Sequence, residues 1–319
     1  MVNFQAILVF ISFFFFVNQC LSANEVPFYQ NYYQKYGGDH LTVTDQGKQV
    51  CLTIDQYTGS GFMSNQHFGS GDFSIDLKIP NKNSTGVITT FYVRTFFFLY
   101  KTIYELHNLI DSSSKLYAIY ECYRLMSEHL QLTSLPMNGD PGMHHDEIDF
   151  EFLGGDGIYT LNTNIFANDG GSREQQFNLD FDPTEDFHTY RILWNQHHII
   201  FYADNVPIRV FKNNTNYGVN FPTHKMHIEA TIWNDTNWVG EVDWSQGPFK
   251  AYYRNFTING CQYQESNRQE CYNNNYYWNT ITSLSPNEVQ EFETVKAEQM
   301  IFSYCMRNNS RNFPECILN

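Results

Sequence analysis

The chain has 319 residues, enough for one large β domain or two smaller ones with a substantial core. Its 28 Phe and 22 Tyr, with frequent Asn and Thr and few long helical periodicities, favour strands and turns. A formal charge of −15 without a basic cluster argues against nucleic acid or an anionic membrane surface as partner, because phosphate contacts need clustered Lys and Arg.

In chain order, residues 1–23 are expected to form a signal peptide. The apolar run from Ala6 to Val17 is too short to span a bilayer, and Ser22 and Ala23 supply small residues for cleavage. A buried N-terminal strand or helix is the competing reading. No later stretch reaches ~18 consecutive apolar residues, so the mature chain is expected to be free of the membrane. Short alternating segments then recur between Gly, Asn, Asp and Pro: "FSIDLKI" (73–79), "GVITTFYV" (86–93), "TYRILWN" (189–195), "HIIFYADNVPIRVF" (198–211), "KMHIEATIW" (225–233) and "FKAYYRNFTI" (249–258). In the fourth, Asp204-Asn205 reads as a hairpin turn. Strands at this density predict an all-β fold, a curved antiparallel sandwich able to carry a polymer across one face. Trp194 lies in an alternating strand and is expected in the core.

"HDEIDFEFLGG" (145–155) places Glu147, Asp149 and Glu151 at alternate positions between Ile148, Phe150 and Phe152. A period of two sends the apolar residues into a core and the three acids out together, a cluster of like charge that an ordinary surface strand avoids. A solvated acidic edge is the bland alternative. On a strand rising ~3.3 Å per residue, Glu147 and Glu151 have Cα atoms roughly 13 Å apart. Converging side chains bring their carboxyls to about 5–6 Å, the spacing of a retaining rather than an inverting glycosidase. One Glu would attack the anomeric carbon, the other would serve as acid and then base, and Asp149 would help keep that second group protonated. The eleven His show no metal-like spacing, so neither metal nor cofactor is implied; His144 and His145 are expected to shape the entry to the strand.

Near the C-terminus, Ser285, Pro286 and Glu288 form a capping-box start to a helix, with Val289, Phe292 and Val295 expected on one face. Cys261/Cys271 and Cys305/Cys316 bracket it as two close pairs, expected to be local disulfides, although four Cys allow three pairings and Cys51 and Cys122 stay unassigned. Cys20 would leave with the signal. Residues 258–319 therefore read as a C-terminal extension stapled onto a catalytic domain at 24–257. Sequons at Asn83, Asn213, Asn234, Asn255 and Asn308 are glycosylation candidates on a secretory route.

The strand motif "HDEIDFEFLG" resembles the signature of the xyloglucan endotransglucosylase/hydrolases, the plant cell-wall branch of glycoside hydrolase family 16. The likeness extends through "GSGFMS" (59–64), "NTNIF" (162–166), "REQQFNLDFDPTEDFHTYRILW" (173–194), "HIIFYADNVPIRVF", "WND" (233–235), "PFKAYYRNF" (248–256) and "SYC…RNFPEC" (303–316). It implies a β-jelly roll whose groove takes a branched β-1,4-glucan. It also implies Glu147 as nucleophile, Glu151 as acid/base and Asp149 as helper. Asn162, Asn164, Arg173 and Glu174 match groove positions, and Trp233 and Trp238 match aromatic positions on the acceptor side. An Arg173–Glu174 surface ion pair, and a stacking role for the two Trp beside an Asn/Asp-rich loop, are the readings from the residues themselves. The expected enzyme cuts xyloglucan and passes it to a second xyloglucan chain or to water, outside the cell in the wall. A xyloglucan or mixed-linkage glucan hydrolase and a non-catalytic glycan-binding jelly roll are the alternatives.

Three departures from the family pattern stand out. "WNDTNWVGEVDW" (233–244) is shorter than the usual Gly-rich connection, and Gly154-Gly155-Asp156 replaces an Asn sequon. The third is "VRTFFFLYKTIYELHNLIDSSSKLYAIYECYRLMSEHLQ" (93–131), which intervenes before the acidic strand. It is far longer than the ~12–15 residues common for an ordered loop, and it is rich in Phe, Tyr, Leu and Ile. Codons for Val-Arg, for the Phe run and for Gln131 are compatible with the donor, T-rich tract and acceptor of an intron. The stretch is therefore expected to be a retained intron, with a helical insertion as the alternative.

Overall fold

The computed structural model describes residues 26–80, 83–95, 145–155, 157, 159–264, 266, 269–307 and 313–318. The expected signal peptide with Cys20, residues 96–131 of the expected insertion with Cys122, His144, Asp156 and the sequon at Asn308 lie outside the described residues. Fourteen strands are present among the described residues: β1 (Tyr32–Tyr36), β2 (Leu41–Thr44), β3 (Gln49–Ile54), β4 (Ser60–Lys78), β5 (Val87–Arg94), β6 (His145–Leu153), β7 (Thr160–Asp169), β8 (Gln175–Phe177), β9 (His188–Trp194), β10 (His198–Ala203), β11 (Val206–Lys212), β12 (Met226–Asn234), β13 (Phe249–Gln262) and β14 (Met300–Ser303). All their pairings are antiparallel.

The two layers share β4. Its first half pairs with β1 and β12, and its second half with β9 and β13. The sequence reason is "GSG" at 69–71. Gly71 pairs with Gly260, and a Cβ on Gly71 would lie 2.2 Å from Phe73, one on Gly260 2.5 Å from Phe68, so only bare backbone lets the strand pass between layers there. One layer then reads β1–β4–β12–β5–β6–β7–β8–β14, the other β11–β10–β9–β4–β13–β3–β2. The predicted curved antiparallel sandwich is the observed fold.

Between the layers lie the apolar residues of the acidic strand. Ile148, Phe150 and Phe152 are buried, with Phe150 5.1 Å from Phe201 and Phe152 4.6 Å from Tyr190 by ring centroid. Burial of a Phe contributes about 1.5–3 kcal/mol, which fixes the strand's register and with it the outward face. Trp194 is buried as expected. The 204–205 turn has φ of 47° and 67°, the left-handed pair of a two-residue hairpin that Asp and Asn tolerate.

Residue 258 lies inside β13, which runs on to Gln262 and itself carries Cys261 of the Cys261–Cys271 disulfide. Four α-helices occur among the described residues: α1 (Phe28–Asn31), α2 (Tyr277–Thr280), α3 (Pro286–Glu298) and α4 (Glu315–Leu318). α3 begins with both bonds of the capping box and packs on β11. Its apolar stripe is narrower than predicted: Val295 is buried, while Phe292 is half-buried and Val289 exposed. Positions three apart slip about 60° around a helix at each step, so the outermost of the three rotates into solvent. Beyond α3, β14 pairs with β8 and widens the layer that carries the acids, and Cys305–Cys316 closes the end. Cys51 is buried and unbridged.

Candidate active site

β6 lies between β5 and β7, and its outward face is built by cross-strand pairs. Glu147 is opposite Arg94 and Phe166, Asp149 is opposite Tyr92 and Asn164, and Glu151 is opposite Thr90 and Asn162. One strand further, β12 sets His227 beside Arg94 and Glu229 beside Tyr92. The predicted alternation is realised: Glu147 and Glu151 are half-buried on the open face, and Asp149 between them is buried.

The two glutamates meet different neighbours. At Glu147, Arg94 Nε lies 2.9 Å and His145 Nε2 3.1 Å from the same oxygen, Oε2. Burial works against the ionised form, but Arg94, His145 and Lys35 outweigh it and hold this carboxyl below the usual range. At Glu151 the described neighbour is neutral: Asn162 Nδ2 donates to Oε2 at 2.8 Å. Burial dominates there, the Glu147 charge adds to it, and the group is pushed up to about 8. Near neutral pH one carboxyl is therefore a carboxylate and the other an acid, four residues apart on one strand.

Asp149 accepts the Asn164 backbone N–H at 2.7 Å, and burial together with the charges of Glu151 and Glu147 raises it well above the normal aspartate range. A neutral Asp149 can donate its proton to a neighbour, as an ionised one cannot. Behind it, Arg209 reaches through the core from β11 to donate to Thr163 O, Thr163 Oγ1 and Arg173 O at 2.6–2.8 Å. Burial lowers its guanidinium to about 10.

Asn162 and Asn164 sit beside the acids, one holding the Glu151 carboxyl and the other supplying the amide to Asp149 while its Oδ1 accepts from the Ile165 and Arg173 amides. Arg173 takes a different place from the groove wall expected of it. It is buried, its guanidinium is bound to Asp169 at 2.9 Å and Glu315 at 2.7 Å, and it reaches the site through Asn164. The Arg173–Glu174 pair is likewise replaced, because Glu174 meets Arg307 at 3.0 Å. Both residues precede β8, and each takes its partner from the C-terminal segment, Arg173 from Glu315 and Glu174 from Arg307. Trp233 and Trp238 come together with ring centroids 6.5 Å apart, and Trp233 lies one pair beyond Glu151 along the face. Of the described sequons, Asn83 and Asn255 are exposed and Asn213 and Asn234 half-buried.

The sequence reading did not find Arg94, Arg209, or a buried carboxylate, Glu229, held by Lys35 Nζ at 2.6 Å and Tyr92 OH at 2.8 Å. It also passed over Asp146, on the core side of β6, which accepts the amides of Thr223 and His224 and the His224 ring. The pattern "HDEID" does signal a fourth acid out of phase with the other three. Among the described residues no group of three or more His, Cys, Asp or Glu is placed to hold a metal ion.

An ionised and a protonated carboxyl on one open face are the equipment that acid-assisted cleavage of a glycosidic bond requires, so fold and site together describe a glycosidase class. The model of the glycosyl hydrolases family 16 matches residues 28–101 and 131–250. The chain is 40% identical over 292 residues to "Xyloglucan endotransglucosylase/hydrolase protein 2" of Arabidopsis thaliana, covering 88% of this chain and 84% of that protein. It is 33% identical over 292 residues to "Xyloglucan endotransglucosylase protein 2" of Diospyros kaki, covering 88% and 83%. Two solved structures share the fold at a TM-score of 0.50. One is a prokaryotic beta-1,3-1,4-glucanase from a mouse hindgut metagenome, 19% identical over 72% of this chain and 93% of that one. The other is the Crh5 transglycosylase in complex with NAG, 20% identical over 72% and 79%. This chain belongs to the xyloglucan endotransglucosylase/hydrolases of glycosyl hydrolases family 16.

Proposed function

We propose that the protein cleaves the β-1,4-glucan backbone of xyloglucan through a covalent glycosyl-enzyme and passes the fragment to a second xyloglucan chain, remodelling the plant cell wall from outside the cell. The observation that carries this is the placement of Glu147 and Glu151 on one open face, the first against the His145 ring and the second against the Asn162 carboxamide. Glu147, ionised, attacks the anomeric carbon, while Glu151, protonated, gives its proton to the leaving oxygen and then takes one from the incoming hydroxyl. Asp149, neutral between them, bridges the pair without adding a third charge. Asn162 and Asn164 orient the acids, Glu174 lines the face beside Glu151, and Trp233 and Trp238 stack on sugar rings of the acceptor. An extracellular place agrees with the relatives' substrate and with a signal peptide at 1–23. Among the described residues no helix is long and apolar enough to cross a membrane.

Hydrolysis is the second reading, favoured by the short 233–244 connection, which leaves less surface to hold an acceptor against water. Product size with and without a xyloglucan oligosaccharide separates them. Transfer redistributes chain lengths when acceptor is added, whereas hydrolysis shortens chains steadily in both cases. Unchanged turnover in Glu147→Gln overturns the assignment of roles.

The stretch 93–131 is proposed as a retained intron. The family match supports this by omitting 102–130. Val93 and Arg94, at the start of the stretch, end β5 opposite Ile148 and Glu147. Excision would join Tyr92 directly to Leu132 and, removing 39 whole codons, keep the reading frame. Sequencing cDNA across residues 90–135 tests it: transcripts lacking the segment are expected, and its presence in every transcript ends the proposal.

A further inference from the structure

We propose that Glu315, in the C-terminal segment, is a positioning residue for Asp149, acting through Arg173 and Asn164. This rests on the reading of Asp149 as the helper between the two catalytic glutamates. The links run inward one by one. Glu315 Oε1 accepts from Arg173 Nε at 2.7 Å, the Arg173 backbone N–H donates to Asn164 Oδ1 at 2.9 Å, and the Asn164 N–H donates to Asp149 Oδ1 at 2.7 Å. Glu315, Arg173, Asn164 and Asp149 are all buried, so water does not compete for these bonds. None of the four belongs to the 93–131 stretch, so all remain in a spliced chain.

The turn before β8 explains why Arg173 needs an outside hold. Gly171 and Ser172 are both left-handed, with φ of 67° and 62°, and a Ser adopts that region at a cost. Asp169 braces the turn from within, accepting the Gly171 amide at 3.0 Å and Arg173 Nη1 at 2.9 Å. Glu315 braces it from the C-terminal segment. Between these two carboxylates the guanidinium also packs 5.5 Å from the Phe313 ring and 5.8 Å from the Phe211 ring. The C-terminal segment is itself fixed: the Tyr304 N–H donates to Glu174 O at 2.9 Å, and Cys305–Cys316 joins the neighbours of Tyr304 and Glu315. Stability alone does not account for the acid at 315. Its Oε2 is buried with no hydrogen-bond partner among the described residues, a cost that an apolar side chain of similar volume would avoid. What the acid supplies is direction. With the guanidinium held, the Arg173 amide fixes Asn164, and the Asn164 amide keeps the Asp149 carboxyl in one orientation between Glu147 and Glu151.

Glu315→Met and Glu315→Gln, made in the full chain, test this with two readouts. Met keeps the volume and removes the acceptor, whereas Gln keeps an oxygen for Arg173 Nε. The first readout is kcat against KM for chain transfer. A 1 Å misplacement can cost ~10²-fold, so a loosened Asp149 is expected to lower kcat about tenfold in Glu315→Met, with the KM for xyloglucan unchanged. Glu315→Gln is expected to recover most of that loss. A purely structural ion pair would instead lower the melting temperature and leave kcat of the folded enzyme alone. The second readout needs no turnover. In proton–nitrogen NMR of asparagine-labelled protein, the Asn164 amide is assigned by its loss in Asn164→Ala. It is expected to move upfield in Glu315→Met and to stay in place in Glu315→Gln. An Asn164 signal unmoved in Glu315→Met overturns the proposal, as does a moved signal with kcat unchanged. If Glu315→Met does not fold, Glu315→Ala takes its place with the same expectations. A wild-type chain that transfers no glucan, while the signal moves in Glu315→Met, contradicts the proposed reaction and leaves the link from Glu315 to Asp149 standing.

Discussion

The two ends of the catalytic strand carry the same side chain and hold it in opposite states. Glu147 has a guanidinium, an imidazole and a more distant ammonium around it, while Glu151 has a carboxamide and the negative charge of Glu147. Both are half-buried, so burial alone does not distinguish them. What differs is the sign of the nearest charge, and that difference separates a nucleophile from a proton donor on one short strand.

The largest effects come from removing either end. Glu147→Gln is expected to reduce glucan transfer by at least about a thousandfold while leaving glucan binding largely intact, because no covalent bond can form. Glu151→Gln, which cannot protonate the leaving oxygen, is expected to lose about 10²–10⁴-fold, measured with xyloglucan and acceptor in excess. Equal losses with a substrate whose leaving group needs no proton would erase the distinction between the ends, since Glu151→Gln should be spared in that case.

The support under the strand serves both ends together. Phe150→Ala removes a fully buried ring between Phe201 and Tyr190 and is expected to cost about 3–5 kcal/mol in denaturant unfolding. A loss below about 1 kcal/mol would show that the strand's register does not depend on this packing.

Stability against pH separates the ends more finely. The folded pKa of Glu151 is raised to about 8, so the native state holds a proton that the unfolded chain gives up near the normal glutamate value. Its contribution is therefore unaffected below about pH 4 and becomes increasingly destabilising as pH rises toward 8. Glu151→Gln is expected to unfold at higher temperature than wild type at pH 7 and at the same temperature at pH 4, a gain of the order of 1–3 kcal/mol. The smallest effect expected is from Asn162→Ala. Losing the donated hydrogen bond leaves the ionised form of Glu151 less supported, so the alkaline limb of kcat/KM should move to higher pH and the acid limb should stay in place.

Much of this comparison was legible in the sequence. Alternation in "HDEIDFEFLGG" gave the strand, its two faces and the three acids, because a period of two is a local property of the backbone. The hairpin at 204–205 and the start of α3 were local for the same reason. What the sequence hid was the identity of residues brought alongside by pairing. Arg94 stands at the start of the 93–131 stretch, and no local pattern says that the last residue of β5 falls opposite Glu147. Arg173 looked like a groove residue until Glu315, far along the chain, proved to hold it. Arg209 sits in a strand whose alternation gives no sign that its guanidinium crosses the core to Thr163. Charge partners from distant segments set the protonation states, and those contacts exist only once the layers close.

The most direct measurement is a carbon-13 NMR titration with labelled glutamate side-chain carboxyls, the two signals assigned by their loss in Glu147→Gln and Glu151→Gln. The account predicts that the signal missing from Glu151→Gln titrates near pH 8, while the one missing from Glu147→Gln stays ionised below the normal glutamate range. Two signals that titrate together at the ordinary value, or in the reverse order, would contradict it.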